Sequence, residues 1–218
     1  MGYNESYIGL RPDLLKHIKG HLIDILDVGC ALGSNGQYLI NNNFANSVYG
    51  IEFDEKMATE AKKNITKVFC GNLNDDSFRK EVRDKSPLFD YILFGDILEH
   101  LYDPLKVLKD LKSLLKPDGT IIISLPNVGH VELFIQVYIK GTWPLNERGI
   151  FDRTHIRWFT RKDVYKLAKS ANLQIINYER NLRARDAIGS KFDWKAKILK
   201  YINKDLVTFQ HILVCKHG

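Results

Sequence analysis

Short apolar runs alternate with amphipathic stretches from residue 23 to residue 125. Ile23–Val28 is largely apolar and stops at Gly29, which predicts a buried strand. Gln37–Asn42 predicts a short helix, Ser47–Phe53 a second strand, and Asp54–Asn64 a helix capped by Asp54. Lys67–Cys70 and Tyr91–Gly95 predict the third and fourth strands, the latter preceded by Pro87. Asp103 caps a helix opened by Pro104, with Leu105, Leu108, Leu111, Leu114 and Leu115 spaced for a core-facing stripe. Lys116-Pro-Asp-Gly119 predicts a turn, and Thr120–Leu125 a β-branched fifth strand. Such alternation predicts an α/β domain with a parallel sheet and helices on both faces.

Beyond Pro126 the rhythm changes. Val131–Lys140 predicts an inserted helix, and Gly141–Phe159 a loop rich in aromatic and charged residues. Thr160-x-x-Asp163 has the form of a capping box and opens a helix to Ser170. Leu173–Tyr178 and Leu206–Cys215 predict two more strands, with a helix near Lys191–Asn203 between them. No repeat, low-complexity stretch or linker interrupts the chain. The expected organisation is one domain over residues 1–218, with about 126–160 inserted as a lid on the acceptor side.

A chain of 218 residues with 44% hydrophobic and 27% charged residues can bury a full core. No apolar run approaches the roughly 18 residues of a membrane span. The N-terminus lacks a signal-peptide core, although Gly2 and Ser6 match the loose myristoylation pattern. Cys30, Cys70 and Cys215 are odd in number and far apart, so they read as buried thiols in a reducing, cytoplasmic setting. Charge is uneven: residues 1–139 carry a net −4 and residues 140–218 a net +10. A basic C-terminal third suits a solvated helix face, an anionic ligand, nucleic acid or an acidic membrane surface.

The candidate chemistry begins after the first strand, in ILDVGCALGSNG (Ile25–Gly36). Gly29 and Gly33 sit in a strand–turn–helix, where backbone approaches a ligand and the helix N-terminus offers free N–H groups. Ala31 fills the slot where a dinucleotide fold needs its second glycine, which points away from NAD and toward a ligand without a phosphate. Glu52 closes the second strand, where an acid accepts ribose hydroxyls, and Phe53 beside it offers a surface for adenine.

Taken together, these segments resemble class I S-adenosylmethionine-dependent methyltransferases. LDVGCALGSNG, GIEFDEKM, CGNLND, FDYILFGDILEHLYDP and LLKPDGTIIISLPN come in that family's order and spacing over about residues 20–128. The resemblance implies a Rossmann-like, seven-stranded, mostly parallel sheet whose last strand, containing QHILVCKHG, is antiparallel. It implies S-adenosylmethionine as cofactor and S-adenosylhomocysteine as product. Asp27 would hold the glycine turn and approach the methionine end, and backbone at Gly29 would meet the amine. Ala31 and Gly33 would shape the turn, Glu52 would take the ribose, Asn72 and Leu73 would flank the adenine, and Asp96 would line the methyl end. Two departures stand out: Ala31 replaces the commonest glycine, and Asn72 an aspartate.

Methyl transfer is an in-line displacement, and a hydroxyl acceptor also needs a base. Gly95-Asp96-Ile97-Leu98 lacks the (D/N/S)-P-P-(Y/F) motif of enzymes that methylate exocyclic amines, and no cysteine stands there for cytosine C5 chemistry. Nucleic acid is therefore disfavoured as a partner. His155, in FDRTHIRWFT, is the first candidate base, with an ordinary pKa of about 6.5. His100, in LEHL, is the second, against a purely structural role. Asp96-x-x-Glu99-His100 with His155 resembles the E-x-x-E-H…H site of metal-dependent small-RNA 2′-O-methyltransferases, but the first acid is one methylene shorter and no metal is assigned.

Trp143, Phe151, Trp158 and Phe159 are candidates for an acceptor wall, and Arg148, Arg153, Arg157 and Arg161 for gripping an anion. The run Gly149–Thr160 resembles methyltransferases of glycan and lipid-linked pathways. Residues 190–204 mix Phe192, Trp194, Ile198, Leu199 and Ile202 with five lysines; they suit peripheral membrane contact or, as the first expectation, a helix packed on the sheet. The reading is O-methylation of a small-molecule or glycan- or lipid-linked acceptor, which an anionic group would suit. The alternatives are an RNA 2′-O-methyltransferase, an NAD-dependent oxidoreductase and a non-catalytic cofactor-binding protein.

Overall fold

A computed structural model describes residues 9–186 and 191–218; Gly2 and Ser6 of the myristoylation pattern, and Ser190, lie outside them. Its seven strands are β1 (Ile23–Val28), β2 (Ala45–Glu52), β3 (Lys67–Cys70), β4 (Phe89–Gly95), β5 (Leu115–Pro126), β6 (Leu173–Leu182) and β7 (Thr208–His217). They form one sheet in the order β3-β2-β1-β4-β5-β7-β6. Pairing is parallel from β3 through β5, while β7 runs antiparallel to both β5 and β6. This is the sheet that the sequence and its resemblance led one to expect.

The helices are α1 (Pro12–Leu15), α2 (Ser34–Asn41), α3 (Glu55–Ala61), α4 (Asp76–Asp84), α5 (Pro104–Lys112), α6 (Val131–Leu133), α7 (Arg161–Ser170) and α8 (Trp194–Ile202). Their starts follow local chemistry. Asp54 accepts the N–H groups of Lys56 and Met57, and Asp103 accepts that of Lys106. At α7 the Asp163 carboxylate reaches back to the Thr160 N–H, closing the capping box. α6 runs on into a π-helical turn over Phe134–Ile139.

Strand alternation divides the core between the two faces of the sheet. Leu26, Ile92, Phe94, Ile121 and Ile123 pack on one side with the leucines of α5. Ile25, Leu93 and Ile122 pack on the other with Leu14, Leu39, Val48 and Ala61. A sheet buried on both faces needs near-continuous apolar strands, which is why they were legible.

Four expectations need correction. Cys70 is exposed, because it ends β3 with its side chain turned out of the pleat. The Lys116–Gly119 segment is a bulge inside β5 rather than a turn before it: Leu115 pairs with Phe89, and the next pair is Thr120 with Tyr91. Helix α4 had no counterpart among the predicted elements. Its Arg79 is buried and binds Asp110, Asp76 and the Leu73 carbonyl, so a charged residue faces inward where an apolar one is usual. Finally, α8 does not bury its apolar side against the sheet: Trp194, Ile198, Tyr201 and Ile202 are exposed, and only Ala196 is fully buried.

Candidate functional site

Strand order reverses between β1 and β4, so the connections leaving their carboxyl ends diverge and open a crevice. A cavity of about 930 Å³ lies there. Asp27, Gly29, Cys30 and Ala31 line it from the end of β1, and Glu52 and Phe53 from the end of β2. Asn72 and Leu73 follow from β3, Asp96 from β4, and His100 and His155 complete one side. Of the residues nominated for the cofactor, Gly33 alone stands back: it is the N-cap of α2, with φ +76°.

The turn depends on left-handed backbone. Gly29 has φ +78° and Ala31 φ +47°, so Ala31 adopts, with a Cβ, a conformation that favours glycine. The Gly29 and Cys30 N–H groups donate to the Ile51 carbonyl, and the Ala31 N–H donates to Glu52 Oε2 at 2.9 Å. Glu52 Oε1 accepts from Phe53 at 2.8 Å and Asp54 at 2.9 Å. One carboxylate thus ties the first turn to the second. A carboxylate oxygen has two acceptor directions, so Oε2 keeps one for a ligand hydroxyl.

Asp27 is 4% exposed, and its Oδ2 has no hydrogen-bond partner. Burial pushes its carboxyl up to about 6, against a hydrogen bond from Asn35 and the charge of Arg11. An orphaned acceptor on the cavity wall fits an ammonium group, and Glu52 and Phe53 fit a nucleoside; both belong to S-adenosylmethionine. A pH dependence follows. The free protein favours protonated Asp27, so its stability falls as pH rises from about 4 through 6. A bound ammonium favours the ionised form, so S-adenosylhomocysteine affinity is expected to rise about tenfold from pH 5 to pH 7.5. Asp27→Asn is expected to flatten that rise, weaken binding, and raise the unliganded Tm at pH 7.5 by roughly 3–6 °C, as relief of about 1–2 kcal/mol would. Calorimetric titration across pH measures both; undiminished binding by Asp27→Asn would reject the assignment.

Asp96 has φ +56° and is firmly held. Arg11 Nη1 pairs with Oδ2 at 2.7 Å, the Ser124 hydroxyl donates to Oδ1 at 2.6 Å, and Gln210 also donates to Oδ2. Arg11, Gln210, Arg183 and Phe209 all line the cavity, and none was nominated from sequence. Nothing local marks them: Arg11 meets Asp96 across 85 residues, and Gln210 across 114.

Glu99 and His100 lie in a 3-10 turn after β4, and the 126–160 region folds against it: Ile156 and Arg157 both donate N–H groups to the Glu99 carbonyl at 3.0 Å. This brings His155 to His100, with ring centroids 4.8 Å apart and edge to face. His100 Nδ1 lies 3.2 Å from the Thr154 carbonyl and 3.1 Å from the Thr154 hydroxyl. Burial lowers the pKa of both imidazoles, leaving them neutral at pH 7. The Glu99 carboxyl is 1% exposed, neither oxygen has a hydrogen-bond partner, and burial raises its pKa well above the usual range. His155 Nε2 is 3.8 Å from Glu99 Oε1. The ligand atoms of Glu99, His100 and His155 all lie within 4.8 Å of one another. Asp96 is committed to Arg11, Ser124 and Gln210, so the four-residue constellation suggested by sequence is reduced to three.

The nominated acceptor residues divide. Trp143 packs edge-on against Phe151 and Trp158, Phe159 joins the main core, and none of the four lines the cavity. Arg148 does line it. Arg153 pairs with Glu147, Arg157 donates to the Tyr102 carbonyl at 2.6 Å, and Arg161 binds Asp205 at 3.0 Å.

The comparisons with known proteins agree with this geometry. Residues 5–178 match the family described as methyltransferase domain. The ubiquinone biosynthesis O-methyltransferase of Actinobacillus pleuropneumoniae serotype 7 is 31% identical over 108 residues, 47% of this chain and 45% of its own length. The Coxiella burnetii protein of the same name is 28% identical over 174 residues, 77% of this chain and 72% of its own. Among solved structures, an S-adenosylmethionine-dependent methyltransferase from Archaeoglobus fulgidus superposes with TM-score 0.64 at 16% identity, over 93% of this chain and 89% of that one, which speaks for the fold. With a family match over most of its length and the cofactor crevice at the switch point of its sheet, the chain belongs to the class I S-adenosylmethionine-dependent methyltransferase family.

Proposed function

We propose that the protein methylates a hydroxyl oxygen of a small-molecule or a lipid- or glycan-linked acceptor. The observation that carries this reading is the pair of half-buried imidazoles, His100 and His155, whose pKa burial lowers, facing the same cavity as Asp27, Glu52 and Asp96. A neutral imidazole is the form that accepts a proton, and a hydroxyl becomes a competent nucleophile as it loses one. The names of the relatives, ubiquinone biosynthesis O-methyltransferase, give oxygen as the atom those proteins methylate.

When bound, S-adenosylmethionine supplies an electrophilic methyl on a sulfonium; the acceptor oxygen forms the new C–O bond, the S–C bond breaks, and S-adenosylhomocysteine remains. The chain's residues do the rest. Asp27 takes the ammonium, Gly29 presents its backbone, Glu52 holds the ribose hydroxyls, and Phe53, Asn72 and Leu73 flank the adenine. Asp96, fixed by Arg11, Ser124 and Gln210, sets the wall at the methyl end. His155 takes the acceptor's proton at Nε2, and the adjoining Glu99, in its ionised form, would stabilise the imidazolium. Arg148, Gly149, Asp152, Thr154 and His155 bring the 126–160 region over the acceptor side, where it acts as a lid that keeps water from the reacting oxygen. Arg148 and Arg183 give that side positive charge, which suits an acceptor bearing an anionic group.

A specific observation favours a second reading: the buried Glu99 carboxylate with neither oxygen partnered, beside two imidazoles. A divalent cation held by Glu99, His100 and His155 would lower the pKa of an acceptor hydroxyl in place of a base. Methyl transfer to a panel of phenols and catechols, before and after exhaustive chelation, tests both. Turnover unaffected by chelation is expected for a histidine base. Loss restored by Zn²⁺, Mn²⁺ or Mg²⁺ would give the role to the cation. Tight S-adenosylhomocysteine binding with no turnover on any hydroxyl would overturn the O-methylation reading.

A further inference from the structure

Helix α8 turns two apolar faces in opposite directions. Ala196 is buried and Leu199 half-buried, packed on Ala184 and Val207. On the opposite side Trp194, Ile198, Tyr201 and Ile202 share one face at i, i+4, i+7 and i+8. They are exposed by 65%, 49%, 93% and 68% respectively. Lys195 borders this stripe on one flank and Lys197 on the other, with Lys200 farther round the helix and Lys191 and Lys204 at its ends. None of the five lysines forms an ion pair among the described residues, whereas most acidic side chains of the C-terminal third do.

The helix also sits on the rim of the cavity. Ala184 follows Arg183, and Val207 lies two residues before Phe209; both Arg183 and Phe209 line the cavity. β6 ends and β7 begins at the carboxyl end of the parallel strands, the end that holds the active site. Arg185, next to Ala184, binds Glu132 of α6 at 2.7 Å, tying the lid to the same segment.

We propose that α8 docks the protein on an anionic membrane surface, with the stripe Trp194, Ile198, Tyr201 and Ile202 entering the headgroup–acyl boundary and the flanking lysines contacting lipid phosphates. An exposed apolar stripe bordered by unpaired lysines is the form of an interfacial helix, and its charge complements acidic lipid rather than an apolar protein groove. Docking places the cavity rim against the bilayer. In taking the acceptor to be lipid-linked, this inference rests on the methyl-transfer reading. No helix among the described residues is long and apolar enough to cross a membrane, so the contact is peripheral.

The test is co-sedimentation of the full chain with phosphatidylcholine vesicles containing roughly a third phosphatidylglycerol, and with phosphatidylcholine alone. Binding to the anionic vesicles is expected, with weak binding to the neutral ones and release by high salt. Lys195, Lys197 and Lys200→Glu together are expected to weaken binding by about a hundredfold or more, since each lysine near the surface contributes about fivefold. Trp194→Ser with Ile198→Ser is expected to abolish it. S-adenosylhomocysteine titration of every variant keeps the two readings apart: lost vesicle binding with intact cofactor binding fits docking. Wild-type protein that binds neither vesicle while still turning over a soluble acceptor would overturn docking and leave methyl transfer standing. A stripe that instead makes a dimer, dissociated by the serine variants without vesicle binding, or that binds RNA in place of vesicles, would also overturn it.

Discussion

Glu52→Ala is expected to weaken S-adenosylhomocysteine binding by at least about a hundredfold. The carboxylate does two jobs through the same two oxygens. It accepts three backbone N–H groups, from Ala31, Phe53 and Asp54, and so holds the glycine turn against the end of β2. In the proposed complex it also accepts a ribose hydroxyl. A hydrogen bond to a charged group contributes about 1.5–3 kcal/mol, so losing the one that Oε2 still offers, together with the turn that the carboxylate holds in place for the ligand, amounts to about 3 kcal/mol or more, and hence a hundredfold or more. The backbone contacts add a stability loss of about 1–2 kcal/mol, because three donors at a half-buried turn are left to water. Glu52→Gln, which keeps one acceptor oxygen, is expected to fall between the two proteins. At about a hundred times the Kd, the ligand should raise the wild-type Tm by roughly 5–10 °C, and the alanine variant should show little shift at the same concentration. Calorimetric titration gives the affinities directly. An alanine variant that folds and binds S-adenosylhomocysteine as tightly as the wild type would remove Glu52 from the site and, with it, the proposed pose of the whole cofactor.

How much of this was legible in the sequence depended on the range of the contacts. The glycine turn, Glu52 and the Asn72–Leu73 loop were readable because each lies within a few residues of a strand end, and parallel strands bring their carboxyl ends together whatever the rest of the chain does. The caps at Asp54, Asp103 and Thr160 were readable for the same reason: cap and first turn are neighbours. Arg11, Gln210, Arg183 and Phe209 were not, since each reaches the cavity only after the sheet has closed. Phe209 and Gln210 arrive because β7 inserts antiparallel between β5 and β6, pairing Pro126 with Gln210. The apolar spacing in α8 was visible, but spacing alone does not say which side faces the core. Here two small contacts, Ala196 and Leu199, decide the orientation and leave the larger aromatic face outside. Arg79 misleads in the opposite sense: hydropathy places arginine outside, and three oxygen acceptors hold it inside.

His155→Ala is expected to lower kcat by about 10²–10⁴, the range supplied by a positioned base, while leaving the Kd for S-adenosylhomocysteine within about threefold. The separation follows from position. His155 comes from the inserted region, whereas Asp27, Glu52 and Asn72 come from the strand ends, so truncating the imidazole leaves the cofactor groups in place. Its ring is packed on His100 and stands 3.8 Å from Glu99, so the variant also opens a small cavity beside a buried carboxyl. Glu99→Gln serves as the companion, since it keeps the volume and removes the group that can ionise. If Glu99 stabilises the imidazolium, the glutamine variant should lose kcat by less than the alanine variant, and the double variant should lose little more than His155→Ala alone, because two groups acting through one proton are not additive. Independent losses that multiply in the double variant would instead mean that Glu99 acts on the acceptor by a route that does not pass through His155. A His155→Ala enzyme that keeps kcat within tenfold would pass the role to His100, the remaining neutral imidazole in the cavity, and His100→Ala in that background should then remove turnover while cofactor binding persists.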